Sequence, residues 1–309
     1  MDIFVQQLIN GLVLGSIYAL VALGYTMVYG ILELINFAHG EVTMIGAMVA
    51  LAVIGALMGS ALDLPGLMVV LAGLLVAIPA CMLLGFTIEK VAYRPLRRAP
   101  RLAPLITAIG VSIVLQNAAM LIWGRQYVSF PPLIPQHSHE ILGAHITDLQ
   151  VFIILLSMLI MAGLWLLVQK TSLGRAMRAT AQSKEVAALM GVNVDRVISA
   201  TFLIGSALAA VAGVMVSAYY GLAHYYMGFM LGLKAFSAAV LGGIGNIAGA
   251  MLGGLLLGVI EALGAGYIGD LTGGFLGSHY QDVFAFFVLI LVLVLRPSGL
   301  LGERVASRA

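Results

Sequence analysis

The sequence predicts an all-α protein: a polytopic transmembrane helical bundle of about eight or nine spans, with room for re-entrant segments. Three observations point there. The chain of 309 residues is 62% hydrophobic and only 9% charged, whereas soluble domains carry roughly 25% charged residues. Apolar runs near the length of about 20 residues that crosses a bilayer as a helix recur along it; strands of a membrane barrel would instead alternate polar and apolar over about ten residues. Finally, thirteen of the fifteen Lys and Arg fall in three patches: Lys90, Arg94, Arg97, Arg98 and Arg101; Lys170, Arg175, Arg178, Lys184 and Arg196; and Arg296, Arg304 and Arg308. Basic patches between apolar runs mark the cytoplasmic loops of a membrane protein. No basic tract resembles a nucleic-acid surface, and lipid must solvate part of the chain.

The elements follow in order. A first span covers about 4–30; Met1-Asp2-Ile3 lacks a basic leader region, so this run reads as a retained span rather than a signal peptide. A second, about 36–58, carries His39 and Glu41 near its start, and a third, about 66–89, enters the first basic loop. Pro95, Pro100 and Pro104 prevent that loop from being one continuous helix. A fourth span, about 102–123, leads to an external loop, 124–148, holding Pro131, Pro132, Pro135 and three histidines. A fifth, about 149–169, returns to the second basic loop. Four further segments, at about 197–220, 229–243, 246–266 and 282–295, lie between that loop and Arg296. Three crossings before Lys90 place the N-terminus outside, and an even number after Arg196 places the C-terminus in the cytoplasm. The segments 36–58 and 229–243 are the two that can be re-entrant. All of 1–309 forms a single membrane-embedded domain.

Glycine supplies 37 residues, against a usual frequency of about 7%. Gly245, Gly249 and Gly253 follow at four-residue intervals, as do Gly254 and Gly258, and Gly11 and Gly15. Such spacing puts them on one face of a helix, where backbones approach closely. Cys81, the only cysteine, lies in an apolar run and reads as a small hydrophobe.

The second basic loop, 173–195, is the most informative stretch. Ser183 suits an N-cap, Glu185 falls in the first turn where the helix dipole favours an acid, and Gly191 suits the residue that ends a helix. Asp195 can cap the next helix. The result is a helix of about two turns at 184–190, too short to be stable alone in water. It would expose Val186, Ala187, Leu189 and Met190. Either it docks in a groove on a partner or it packs on the chain's own loops.

This segment, Glu185-Val186-Ala187-Ala188-Leu189-Met190-Gly191, resembles the coupling loop of ABC importer permeases. Three further stretches resemble one family, the LivH-type permeases of branched-chain amino acid ABC importers. They are Asn36-Phe-Ala-His-Gly-Glu41 with Gly46-Ala47; Thr201-Phe202 through Ala212-Gly213; and Ala239 through Gly249 to Glu261. The resemblance spans essentially the whole chain. It implies a permease subunit of an ATP-driven importer in an inner membrane, moving leucine, isoleucine and valine. It also implies a second permease subunit, two ATP-binding subunits that hold ATP and magnesium, and a periplasmic substrate-binding protein. Nothing is carried over to 124–148.

The residues themselves set bounds on the chemistry. No Gly-x-x-x-x-Gly-Lys-Ser/Thr stretch exists, so ATP would be hydrolysed on another chain. No His-Glu-x-x-His or Gly-x-Ser-x-Gly stretch marks a catalytic set, and no cofactor or metal is expected in this chain. Ionisable groups at membrane depth are expensive and often functional. Asn36, His39, Glu41 and Glu261 are therefore candidates for the pathway or its gate; for each the competing role is structural, as a cap or a bond to a neighbouring helix. Lys234 reads as snorkelling outward. His137, His139 and His145 form only a weak metal pattern, and Tyr219, Tyr220, Tyr225 and Tyr226 read as an interfacial aromatic belt. The same architecture could instead carry urea, short amides or a sugar. An ion-coupled secondary transporter, with intramembrane carboxylates of its own, is the rival from another class.

Overall fold

A computed structural model describes residues 2–60, 64–97, 99–100, 102–134, 137–141, 143–271, 273 and 280–302. Arg98, Arg101, Pro135, Arg304 and Arg308 lie outside the described residues. The long helices are α1 (Asp2–Leu32), α2 (His39–Met58), α3 (Gly66–Ile88), α4 (Leu102–Trp123), α5 (Asp148–Lys170), α8 (Val194–Tyr220) and α10 (Ile247–Leu271). Two shorter apolar helices are α9 (Met227–Gly242) and α11 (Gln281–Leu295), and two polar ones, α6 (Ser172–Gln182) and α7 (Lys184–Leu189), fill the second basic loop.

Seven of the described helices are long and apolar enough to cross a membrane. Of the two doubtful segments, 36–58 meets that test as α2. The other, α9, has 16 residues and extends only about 24 Å, short of the roughly 30 Å hydrocarbon core. α11, with 15 residues, is shorter still.

α1 is the axis of the bundle and is buried along nearly all its length, with α8, α9, α10 and one side of α5 packed against it and α2 resting on α3, α8 and α9. α3, α4 and α5 lie outside and expose Leu75, Leu83, Leu121, Ile122 and Leu159, as helices with one side in lipid do. Small residues let the inner backbones meet. A methyl group on Gly11 or Gly15 of α1 would run into the backbone of α10 at Val259 and Leu255, and one on Gly254 or Gly258 into Ala19 and Gly15. Gly249 and Gly253 turn the other way, onto Gly242 and Ala238 of α9. Gly245 does not share their face, contrary to its four-residue spacing: it precedes α10 in a left-handed turn (φ +95°) and faces Gly30.

Two contacts separate the ends of the bundle. The Gln6 amide side chain donates to His145 O (3.0 Å) and accepts from His145 N (2.8 Å), so α1 starts beside the 124–148 segment. Lys184 Nζ donates to Leu32 O (3.5 Å), so α1 finishes beside the second basic loop. The 124–148 segment departs from an all-α reading. β2 (Ser138–Ile141) and β3 (Ala144–Thr147) form an antiparallel hairpin, and β1 (Val128–Ser129) pairs with β4 (Leu222–Ala223) just after α8. The first basic loop is broken as its prolines require, into a π turn at Glu89–Tyr93 and a 3-10 turn at Arg94–Leu96.

α2 begins inside the protein. Glu33 takes a left-handed conformation (φ +57°), the chain stays non-helical to 38, and Asn36 and Ala38 are buried. Asn36 does not cap α2, as its position suggests. Its Oδ1 accepts from Ala38 N (3.2 Å) and from the Tyr93 hydroxyl (3.1 Å), which secures the non-helical stretch. Irregular backbone at such depth is tolerated only when other protein covers it.

Candidate functional site

Two groups of residues hold the polar chemistry: the second basic loop and the ionisable groups within the bundle. In the loop, the Thr171 hydroxyl accepts from Gly174 N (3.0 Å) and starts α6. Ser183 ends α6 and starts α7, its hydroxyl accepting from Val186 N (3.3 Å). Gly191 (φ +84°) then turns the chain, in the left-handed conformation that glycine adopts at least cost. Asp195 does not cap α8; Asn193 does, accepting from Arg196 N (3.0 Å).

The burial of α7 corrects one expectation. Ala187 is only 3% exposed, turned into this chain, whereas Val186 (57%), Met190 (80%) and Leu189 (87%) face outward. Glu185, Ala188 and Gly191 are exposed as well. This two-turn helix thus covers Ala187 and leaves Val186, Leu189 and Met190 as a small exposed apolar patch.

Asp195 serves another purpose. It takes Arg94 Nη2 and Arg97 Nη1, each at 2.5 Å. Arg97 also pairs with Glu89, whose second oxygen accepts from Ser199 Oγ (2.9 Å). Glu89 is fully buried, so this pairing is what makes its charge tolerable there. The end of α3 is thereby tied to the first two turns of α8, four residues beyond Gly191.

Within the bundle, Glu41 Oε1 accepts from Ser112 Oγ (3.1 Å) and Gln116 Nε2 (2.7 Å), both on α4. Its other oxygen has no partner and lies against Gly228 in the first turn of α9, the positive end of that helix. No cation reaches Glu41 among the described residues. His39 is buried against Gly24, edge-on to Tyr25 at 5.0 Å, with Nε2 unpartnered.

Glu261 lies on α10, on the other side of α9. Its Oε2 accepts from the Tyr18 hydroxyl (3.0 Å) and its Oε1 from Lys234 Nζ (2.7 Å). Lys234 does not snorkel outward; it also meets Asp282 Oδ1 at 2.7 Å. Four helices, α1, α9, α10 and α11, thus converge on one ammonium group. The four sequence candidates are not gathered into one pocket. Asn36 supports a loop, His39 packs on α1, Glu41 joins α2 to α4, and Glu261 joins α10 to α1 and α9. Lys234 and Asp282 escape a sequence reading because their partners lie on other helices, 27 residues apart along the chain for Lys234 and Glu261.

In the 124–148 segment, His137 Nδ1 and His139 Nε2 both contact Asp148, at 3.0 and 2.7 Å. His145 pairs with Ser138 instead. Among the described residues no three His, Cys, Asp or Glu side chains are grouped to hold a metal ion. Cys81 is buried and donates to Val42 O.

The family model described as "Branched-chain amino acid transport system / permease component" matches residues 7–293. The permease protein LivH of the high-affinity branched-chain amino acid transport system of Escherichia coli K12 is 49% identical over 305 residues, covering 97% of this chain and 96% of that protein. Its counterpart BraD of Pseudomonas aeruginosa is 50% identical over 304 residues, with the same coverage. A probable LivH of Methanocaldococcus jannaschii is 28% identical over 312 residues, covering 97% of this chain and 94% of that protein. No solved structure matches. With nearly the whole length matched and the bundle that such a protein needs, the chain belongs to the branched-chain amino acid transport permease family.

Proposed function

We propose that this chain forms half of the path through which leucine, isoleucine and valine enter the cell, driven by ATP hydrolysed on other subunits. The relatives' printed roles support the substrate class. The observation that carries the mechanism is the exposed Leu189–Met190 patch on α7. In this reading the basic end is cytoplasmic, the 124–148 segment and the N-terminus are periplasmic, and α7 seats in a groove on an ATP-binding subunit. A second permease completes the path, and a periplasmic binding protein selects the substrate.

Closure of the ATPases would press on α7. Asn193, Asp195 and the Arg94–Arg97 pair carry the displacement to α8 and to the end of α3. His39 and Glu41 at the start of α2 stand where such a shift would alter packing, so they are the pathway and gating candidates. Glu261, held by Lys234 and Tyr18, is a support of the wall. That engagement favours the ATP-driven reading over an ion-coupled one, in which this carboxylate would have to exchange its partner.

Uptake of radiolabelled leucine into proteoliposomes tests the proposal. The vesicles hold this chain with the second permease and the ATPases, with ATP inside and binding protein outside. Uptake that needs both ATP and binding protein is expected. Uptake of urea or a sugar in place of leucine would keep the architecture and overturn the substrate. A Leu189→Asp/Met190→Asp variant should insert normally yet lose the ATPases; retention of the ATPases by it would overturn the docking role of α7.

A further inference from the structure

A cavity of about 80 Å³ lies at the basic end between α1, α5, α6 and the turn into α10. Its polar lining is of one kind. Arg178 of α6 gives one N–H to Val168 O, and no carboxylate among the described residues pairs with it. Thr26 of α1 lines the cavity, is buried, and its hydroxyl has no partner. Gly245 and Ile247 bring the N-terminus of the 25-residue α10 to the same wall. There Asn246 Oδ1 accepts only the N–H of Gly249, and the first turn of a helix has further N–H groups without partners inside it. A guanidinium, a hydroxyl and a helix N-terminus converge on the same preference, an oxyanion.

The rest of the lining is apolar, from Met27, Ile31, Val168 and Ile247, and no acidic side chain contributes. The wall therefore offers donors to a carboxylate and apolar surface to a tail, but no carboxylate for an ammonium group. The volume admits roughly half a dozen water-sized atoms, and Ala181, also in the lining, is exposed at the mouth. We propose that this cavity binds a small monocarboxylate with a short apolar tail, of the size of isobutyrate or isovalerate. A bound carboxylate joins Arg178 on α6 to Thr26 on α1 and to the start of α10. α6 leads directly through Ser183 into α7, so occupancy restrains the segment that carries the exposed patch. Leucine carries its ammonium group on the carbon next to its carboxylate, where the lining has no acidic side chain to meet it, so it binds more weakly.

This inference goes beyond the transport reading and stands or falls separately, since binding needs neither ATP nor import. The test is thermal unfolding of the full chain, assembled with its partner subunits in lipid nanodiscs, titrated with sodium isovalerate, leucine, leucinamide or inorganic phosphate. Isovalerate is expected to raise the Tm saturably, leucine to do so at higher concentration, and leucinamide and phosphate to have no saturable effect. Thr26→Val, nearly the same shape without the hydroxyl, should weaken isovalerate at least tenfold, the size expected for one hydrogen bond to a charged group. Arg178→Gln should abolish the effect; if it fails to fold through loss of its bond to Val168, Thr26→Val alone decides. No saturable shift with isovalerate, an equal shift with leucinamide or phosphate, or unchanged affinity in Thr26→Val would each overturn the assignment. Failure of leucine import in the proteoliposome assay would leave it untouched.

Discussion

Lys234 Nζ lies 2.7 Å from Glu261 Oε1, on neighbouring helices inside the bundle. The same ammonium meets Asp282, and Tyr18 donates to the far oxygen of Glu261. One cation thus holds two carboxylates. Lys234→Met leaves those carboxylates without it and should cost about 3–5 kcal/mol. Glu261→Gln leaves the Lys234–Asp282 pair in place and should cost less, about 1–3 kcal/mol. Replacing Lys234, Glu261 and Asp282 together by apolar residues of similar size should recover most of the loss. Unfolding of the purified protein in detergent reads all three; a Lys234→Met protein as stable as the parent would show that the network is unimportant.

The glycines of the bundle should respond by place, not by residue type. Gly258→Ala puts a methyl group into the backbone of Gly15 and should lower the Tm sharply. Gly110→Ala on α4 meets nothing within 4 Å, so helix propensity alone applies, a gain of up to about 1 kcal/mol. Equal effects of the two substitutions would refute close α1–α10 contact.

Asp195→Asn removes the charge that Arg94 and Arg97 share while keeping the shape of the side chain. In the assembled transporter, ATP hydrolysis should persist and uptake per ATP should fall several-fold. Ser199→Ala, which removes one bond to buried Glu89, should act the same way but more weakly. If hydrolysis and uptake fell together, the network would be a fold support and not a transmission element.

Gly191→Ala forces a side chain into a left-handed conformation and should cost about 1–2 kcal/mol. The loss should stay local. Amide exchange in 184–192 should quicken, while that of α8 beyond Arg196 stays slow. Uniform quickening through α8 would mean that the loop and α8 unfold as one unit.

Much of this was legible from local signals. Long apolar runs gave the helices, prolines broke the first basic loop, and Ser183 and Gly191 marked both ends of α7. What escaped depends on contacts between distant segments. Gly245 keeps the spacing of Gly249 and Gly253, but the helix starts after it, and only the left-handed turn reveals this. Ala187 looks like its apolar neighbours in the sequence; that it alone of the apolar residues in α7 is covered is decided by the loop's packing. Lys234 in an apolar run suggests an escape to water, because the carboxylates it meets are on α10 and α11. Asp195 has the right position for a cap, yet two arginines about a hundred residues earlier claim it.

The close seam between α1 and α10 limits how the protein can change shape. Gly11, Gly15, Gly254 and Gly258 bring the two backbones together without side chains between them. A slide of one residue along this seam would drive side chains into main chain, so the pair has no slack and behaves as a single spar. Softer boundaries lie elsewhere, where Ile153, Met161 and Leu164 of α5 fill the space with side chains that can change rotamer. In the proposed mechanism, alternation between outward and inward openings then proceeds by α3 and α8 rocking against a spar that stays in register, and a clamp between α1 and α10 should leave transport running.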